Sequence, residues 1–293
     1  MMPNAMLSKQ LTPDTITPDT FISDTLMPDE AGLTPSRQRQ LKFSAMHAEY
    51  HASHSARGVP RLSLTDAGLN TALGGGLLCQ RVHLMTANAF SCANTAFSLA
   101  LIAMMLRNAK AQGPIIWCGP VRGGISGHLF GAGLAEMGLR PEQFIFIRES
   151  HPLRRMAACE EALGTKGLSA IIHEYGPLYE KTDLWGKSAR RLQLACERGS
   201  ATAFLIGAPA PASGFESAWH ITPSMPSARD ATDWRPSFHA QLTHARGGYP
   251  ASANLIWDNQ QARFIPQHET DATTPPSFVT SHAYDDSLWQ KSA

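Results

Sequence analysis

The segment RVHLMTANAFSCANTAFSLAL (81–101) has the layout of a phosphate-binding loop, with a short apolar strand, a loop of small residues and an apolar helix. A working loop, GxxxxGK[ST], surrounds the phosphates with backbone N–H groups, balances their charge with a lysine and binds Mg²⁺ through a hydroxyl. Here a threonine stands in place of the first glycine, and either SCA (91–93) or ANT (93–95) stands in place of GK[ST]. The residues of this degenerate nucleotide loop are Thr86, Ser91, Cys92, Ala93, Asn94 and Thr95. Without the lysine we expect at best a weak anion site at a helix N-terminus, not tight ATP binding.

Two other segments contain part of a nucleotide motif without its context. The GKS at Gly186–Ser188 has Lys181 where a phosphate-binding loop needs its first glycine, and no strand leads directly into it. It is therefore predicted to begin a helix. The glycine-rich segment 119–133 lacks GxGxxG and does not follow the first strand, so it is predicted to be a flexible loop leading into a helix at 126–138.

No catalytic set or metal site emerges from the remaining motifs. GxSxG and HExxH are both absent. His47, His51 and His54 recur at helical spacing on one face, but no cysteine or carboxylate cluster follows, so a solvent-facing helix without metal is favoured. Three arginines are candidate contacts to a partner protein or to a nucleic-acid backbone, with ordinary solvated side chains as the alternative: Arg190, Arg191 and Arg246.

Short apolar runs alternating with helical stretches must position these residues. The predicted strands are 82–85, 115–118, 144–147, 170–174 and 202–206, and the predicted helices are 93–108, 126–138, 152–164 and 187–198. Strands that are apolar throughout and separated by helices are typical of a parallel sheet covered on both faces. FHAQLTHA and ANLIWD flank RGGYP, which predicts an antiparallel pair near the C-terminus. The fold class is therefore α/β.

Composition and repeats divide the chain and limit its partners. Residues 1–34 contain the repeat LTPDTITPDTFISDTLMPDE and are predicted to be a disordered tail. A helix and linker at 35–58, one domain at 59–265 and a flexible tail at 266–293 follow. Lys plus Arg (25) nearly equals Asp plus Glu (24), so net charge does not indicate steering towards nucleic acid. Five dispersed cysteines, no apolar run of about 18 residues and no signal sequence predict a cytoplasmic protein.

A family resemblance joins these features. The segment LSLTDAGLNTALGGGLLCQRVHLM (62–85) resembles the entry to the phosphate-loop strand of RecA-like ATPases, and the order of later strands and helices also matches. More narrowly, the chain is similar to the ImuA family, through LGGGL, the lysine-free loop, SARRLQLACERG, SAWHITPSMPSA and ARGGYPASANLIWD. The resemblance covers residues 60–260. It implies a RecA-like core, with a mostly parallel central sheet flanked by helices and antiparallel strands at the C-terminal edge.

The same resemblance shows which chemistry is missing. The carboxylate that would activate water after strand 115–118 is replaced by Gly119 and Pro120, and the phosphate-sensing glutamine after strand 202–206 by Gly207 and Ala208. Only Glu174 stands where a residual Walker-B acid is expected. Because phosphoryl transfer depends on positioning and charge stabilisation, the resemblance implies a degenerate ATPase fold without catalysis and without a cofactor.

The function implied by the resemblance is that of an accessory protein in SOS-induced, error-prone translesion DNA synthesis. The partners implied are an ImuB-type relative of the Y-family polymerases and an error-prone DnaE-type DNA polymerase, with RecA as a further candidate. Two alternatives stay open. One is a SulA-like inhibitor of cell division, and the other is a RecA-like ATPase with a divergent phosphate loop. Direct contact with DNA is not decided by the sequence.

Overall fold

The computed structural model describes residues 35–88, 91–108, 113–121, 129–175, 183–207, 214–225 and 235–267. The predicted tail at 1–34 and all but the first two residues of the tail predicted at 266–293 lie outside these ranges. The chain divides into two units, Met1–Ala45 and Met46–Ala293, and every described strand belongs to the second. No helix in the described part of the chain is long and apolar enough to cross a bilayer.

Helices and short strands alternate along the chain. The helices are α1 (Pro35–Ala56), α2 (Ala67–Ala72), α3 (Ala93–Asn108), α4 (Gly131–Glu136), α5 (Pro152–Gly164) and α6 (Asp183–Gly199), with a 3₁₀ turn at Pro141–Gln143. The first strands are β1 (Arg61–Leu62), β2 (Leu77–Leu78), β3 (Val82–Ala87), β4 (Ile115–Gly119), β5 (Phe144–Arg148) and β6 (Ala170–Glu174). The later strands are β7 (Thr202–Ile206), β8 (Ser217–Pro223), β9 (Ser237–Ala245), β10 (Ala251–Asp258) and β11 (Arg263–Pro266).

Nine of these strands form one mixed sheet in the order β11-β10-β9-β8-β3-β7-β6-β4-β5. All neighbours from β8 to β5 are parallel, and all neighbours from β8 to β11 are antiparallel. β1 and β2 form a separate antiparallel pair. The α/β class and the mostly parallel sheet flanked by helices are confirmed, as are the five predicted strands and the antiparallel pair β9–β10.

The two faces of the sheet bury separate hydrophobic clusters. On one face α3 packs against residues that include Met85, Trp117 and Trp219. On the other face α5 and α6 cover residues that include Leu84 and Ile116. Because neighbouring residues of a strand point to opposite faces, β3 and β4 are apolar at nearly every position. We refer below to these as the α3 face and the α5 face.

Two of the predicted helices have different boundaries in the structure. The helix predicted at 126–138 is wrong at its start: Phe130 is extended, and α4 begins only at Gly131, while residues 126–128 lie outside the described ranges. Glycine is a poor helix former, so the segment becomes helical only where Leu134 is buried. The helix predicted at 187–198 begins earlier, at Asp183, so the GKS lies inside α6 rather than at its start.

The prediction of a solvent-facing N-terminal helix is wrong for the last turns of α1. His51 is half-buried and His54 is 7% exposed. The physical reason lies in two distant glycines. A Cβ at Gly74 would collide with the His51 ring, and a Cβ at Gly247 would lie 2.7 Å from the Tyr50 ring. Such close approach between segments so distant in sequence leaves no local signal.

Candidate functional site

The strands β8, β3, β7 and β6 are parallel neighbours, so their carboxyl ends lie side by side at one end of the sheet. The degenerate loop follows β3 at this end. In open α/β sheets, ligands bind in the crevice outside the carboxyl ends of the parallel strands. This end of the sheet is therefore the candidate site. The sequence correctly predicted that its loop joins β3 to α3.

The first loop residue, Thr86, is bonded to the neighbouring strand. Its hydroxyl donates to the backbone oxygen of Trp219 over 2.7 Å and lies 3.2 Å from Nδ1 of His220. The other ring nitrogen of His220 lies 3.2 Å from Oδ1 of Asn88. These contacts join the end of β3 to β8. No sequence pattern predicted the contact between Asn88 and His220, because the segment that contains His220 was not predicted to be a strand.

The N-terminus of α3 is capped by the protein's own side chains. The backbone N–H of Ala93 donates to Oγ of Ser91 over 3.2 Å, and that of Thr95 donates to Oδ1 of Asn94 over 2.9 Å. The amide Nδ2 of Asn94 donates to the backbone oxygen of Met85 over 3.2 Å. In a phosphate-binding loop such N–H groups would face phosphate oxygens. At Ala93 and Thr95 they are already bonded, so the loop has less capacity for an anion than the sequence suggested.

Either position 92 or position 94 corresponds to the missing lysine, and the residues at these two positions differ in burial. Asn94 is 1% exposed, and its side chain is bonded on both sides, whereas Cys92 is exposed. A lysine could reach a ligand from position 92 but would bury its charge at position 94. The other four cysteines are buried, as expected from their apolar surroundings.

Glu174 lies at the end of β6 and is completely buried. The indole Nε1–H of Trp117 donates to its Oε2 over 3.3 Å. A Cβ at Gly119 would lie 2.8 Å from the same oxygen, so the glycine that follows strand 115–118 leaves room for this carboxylate. The structure thus places Glu174 at the carboxyl end of β6, and its role as a residual Walker-B acid stays a prediction. Within the described residues, no group of three or more His, Cys, Asp or Glu side chains could hold a metal.

The three predicted arginines lie on two separate elements. Arg191 of α6 forms a two-point ion pair with Glu160 of α5, with N–O distances of 2.6 and 3.2 Å. Its neighbour Arg190 is exposed. Arg246 follows β9 and is half-buried, and its backbone N–H donates to the backbone oxygen of Glu216 over 2.8 Å. The described residues therefore do not unite these arginines in one basic surface.

A buried polar cluster on the α5 face was missed by the sequence analysis. Arg155 is 1% exposed, and its Nη1–H donates to the backbone oxygen of Glu149 over 2.7 Å. Its Nε, and both ring nitrogens of the fully buried His173, have no hydrogen-bond partner among the residues that the structure describes. Burial, and secondly the charge of Arg155, lower the pKa of His173 to about 3. Burial raises the pKa of the neighbouring Cys118 thiol to about 12, so this thiol is not a nucleophile.

The histidines of α1 are bound in structural contacts. His51 Nε2 lies 2.9 Å from the backbone oxygen of Gly247, and its Nδ1 accepts from Arg61 over 2.7 Å. His54 Nδ1 lies 2.8 Å from the backbone oxygen of Tyr50. The Tyr50 hydroxyl donates to the carboxylate of Glu216 over 2.7 Å, and burial raises the pKa of that carboxyl. The side chain of His47 lies outside the described set.

No family profile matches the chain. The chain is similar to the protein named Protein ImuA from two strains of Caulobacter vibrioides. In each case the identity is 28% over 208 residues, which is 65% of this chain and 81% of the relative. This similarity agrees with the resemblance to the ImuA family that the sequence motifs indicate.

Proposed function

We propose that this protein is a non-catalytic, RecA-like accessory protein of damage-induced, error-prone translesion synthesis, acting in the cytoplasm by binding other proteins. The observation that carries the proposal is the N-terminus of α3. Backbone N–H groups that would bind phosphates in an active loop are bonded to Ser91 and Asn94 of the chain itself. The similarity to Protein ImuA and the resemblance of the sequence motifs to the ImuA family support the link to mutagenesis.

The proposal of a RecA-like core is supported by the arrangement of the sheet. β3 lies between two parallel neighbours and is followed by the loop and α3. Glu174 lies two strands away, at the carboxyl end of β6. A nucleotide site would need a cation beside the phosphates and a carboxylate placed for water or Mg²⁺. The loop has no lysine, and Glu174 is buried against Trp117. The missing lysine and the buried carboxylate therefore favour a RecA-like fold that binds other proteins instead of a nucleotide.

The partners we propose are an ImuB-type protein, an error-prone DnaE-type polymerase and RecA. The test is co-purification of the tagged full chain with each purified candidate, with an untagged sample as the control for background. We expect retention of the ImuB-type protein at physiological salt. Failure to retain any of the three would refute the accessory role.

Nucleotide binding separates this proposal from the ATPase alternative. We expect no saturable change in the fluorescence of a labelled ATP on titration with the full chain, and no phosphate release above buffer. Cys92→Lys should restore at most weak anion binding, because the exposed position can carry a charge but the amides of Ala93 and Thr95 remain bonded. ATP turnover that is abolished in Glu174→Gln but kept in the surface control Glu161→Gln would establish the ATPase and overturn this part of the proposal.

The SulA-like alternative is tested in cells. Overproduction of an inhibitor of cell division produces filaments and co-purifies with FtsZ, whereas an accessory protein of translesion synthesis leaves cell length unchanged. We expect normal cell length and a lower frequency of damage-induced mutations when the gene is deleted. Filamentation together with retained FtsZ would favour the alternative.

A further inference from the structure

The strand β5 forms an open edge of the nine-stranded sheet. Among the described strands it pairs with β4 alone. The backbone N–H of Glu149 donates to Gly119 of β4, and the hydrogen-bonding direction alternates along a strand. The backbone N–H and C=O groups of Phe144, Phe146 and Arg148 therefore point away from the sheet, where another strand could pair with them.

Exposed apolar side chains lie on both faces of this edge. Ile145 is 50% exposed on one face, and Phe146 is 44% exposed on the other. Val121, two residues beyond the end of β4, is 50% exposed, and Leu153, in the first turn of α5, is 55% exposed. Large exposed apolar patches mark contact surfaces, and soluble proteins otherwise protect edge strands with lysine, proline or a bulge. β5 has no lysine, proline or bulge, and its one charged residue, Arg148, stands at its last position.

The opposite edge shows the usual protection. β11 has only four residues, begins with the exposed Arg263 and ends at Pro266, which lacks an N–H group. Its central Phe264 is fully buried against the α3 face. The contrast between the two edges indicates that β5 is left open for pairing.

We propose that β5 pairs with β5 of a second copy of this chain, in an antiparallel arrangement about a two-fold axis that continues the sheet across two molecules. The two-fold axis passes beside Phe146, because this register pairs all five residues of the strand with residues of the second copy. It places Phe146 opposite the same residue of the second copy, and Ile145 opposite Ile147 of that copy. Aromatic and β-branched cross-strand pairs of this kind stabilise antiparallel sheets.

Charge favours this arrangement over a parallel one. Arg148 is the one charged residue of β5, and Glu142, in the turn that precedes the strand, is exposed. Antiparallel pairing centred on Phe146 brings Arg148 diagonally towards Glu142 of the second copy, within reach of a long side chain. Parallel pairing in register would instead place two Arg148 side chains beside each other. The surface is therefore complementary to itself, as an interface with two-fold symmetry requires.

The first test is sedimentation velocity of the full chain over a concentration series. We expect reversible dimerisation that Phe146→Lys weakens by about tenfold or more, because two lysines would then face each other across the axis. The matched control is Phe130→Lys, which removes an even more exposed phenylalanine, 76% exposed, from the position just before α4. Circular dichroism should show that both variants keep the fold. A wild-type protein that stays monomeric, or a dimer that Phe146→Lys leaves intact, would overturn the proposal.

A second test fixes the register. In a Cys92→Ser background, which removes the exposed cysteine, Phe146→Cys should form an intermolecular disulfide under mild oxidation. Directly opposite residues of an antiparallel hydrogen-bonded pair are about 5.5 Å apart between Cα atoms, which a disulfide can span. Phe130→Cys in the same background should remain monomeric. Equal cross-linking of the two variants would show that collision rather than strand pairing joins the molecules and would contradict the proposal.

Discussion

Several of the most deeply buried polar side chains are bonded differently on the two faces of the sheet. On the α3 face, Asn94, Glu174 and His83 are each at most 1% exposed, and each has hydrogen-bond partners. On the α5 face, Arg155 and His173 are as deeply buried, yet the described residues leave Arg155 Nε and both His173 nitrogens without a partner. A buried polar group is favourable only when its bonds are made. On the α3 face, these three side chains therefore have hydrogen bonds that offset the cost of their burial.

This difference bears on the proposed function, in which the loop after β3 binds no nucleotide. Ser91 and Asn94 accept hydrogen bonds from the backbone N–H groups of Ala93 and Thr95 at the start of α3. The described residues leave Arg155 Nε and both His173 nitrogens without such bonds, so the polar groups of the cluster on the α5 face should contribute little to folding stability.

The largest expected difference is between Asn94 and Arg155. Asn94→Leu leaves the backbone oxygen of Met85 and the N–H of Thr95 without these partners in a buried position. The free energy of unfolding should fall by about 2–4 kcal/mol. Arg155→Met loses one bond to Glu149 but also removes a buried charge, so it should change this free energy by about 1 kcal/mol or less in either direction.

Urea unfolding monitored by tryptophan fluorescence measures both values. An equal loss in the two variants would remove the distinction between the faces. A large loss at Arg155 alone would show that its cluster makes bonds beyond those to the described residues.

The sequence predicted the strands and the position of the loop better than it predicted the hydrogen bonds within the site. β3, β4 and β7 were found because nearly every residue in them is apolar or small, and the loop was found because it joins β3 to α3. β8 was missed because SAWHITP mixes polar and apolar residues. The partners within the site depend on register between distant strands. Trp117 and Glu174, for example, are 57 residues apart, and no local pattern predicts that they meet.

Two histidines provide a second, smaller contrast. Burial lowers the pKa of both His83 and His173 to about 3. His83 is bonded to Ser217 and to the backbone oxygen of Leu78 over 2.7 and 3.0 Å. At neutral pH, His83→Phe should lower the free energy of unfolding by about 2 kcal/mol, whereas His173→Phe should change it by less than about 1 kcal/mol.

The pH dependence should be the same for both variants. A histidine with a lowered pKa in the folded state binds its proton first in the unfolded state, so stability falls as pH drops from 6.5 towards 3. Each substitution should remove up to about 1.4 kcal/mol per pH unit of that loss. Unfolding curves between neutral pH and pH 5 test this. If His173→Phe leaves the slope unchanged, His173 is already protonated in the folded protein and has an anionic partner.

The smallest expected difference in stability is between two buried tryptophans of the α3 face, which differ in the hydrogen bonding of their indole N–H groups. Trp219 and Trp257 are both at most 1% exposed. The Nε1–H of Trp219 donates to Oγ of Ser217 over 2.7 Å, but that of Trp257 has no partner in the described part of the chain. Tryptophan to phenylalanine leaves a similar cavity at both sites and removes a hydrogen bond only at Trp219. We expect Trp219→Phe to be the more destabilising change by about 1 kcal/mol in urea unfolding. Equal losses would mean that packing alone decides the cost on this face, and the contrast between the faces would then have to rest on Arg155 and His173.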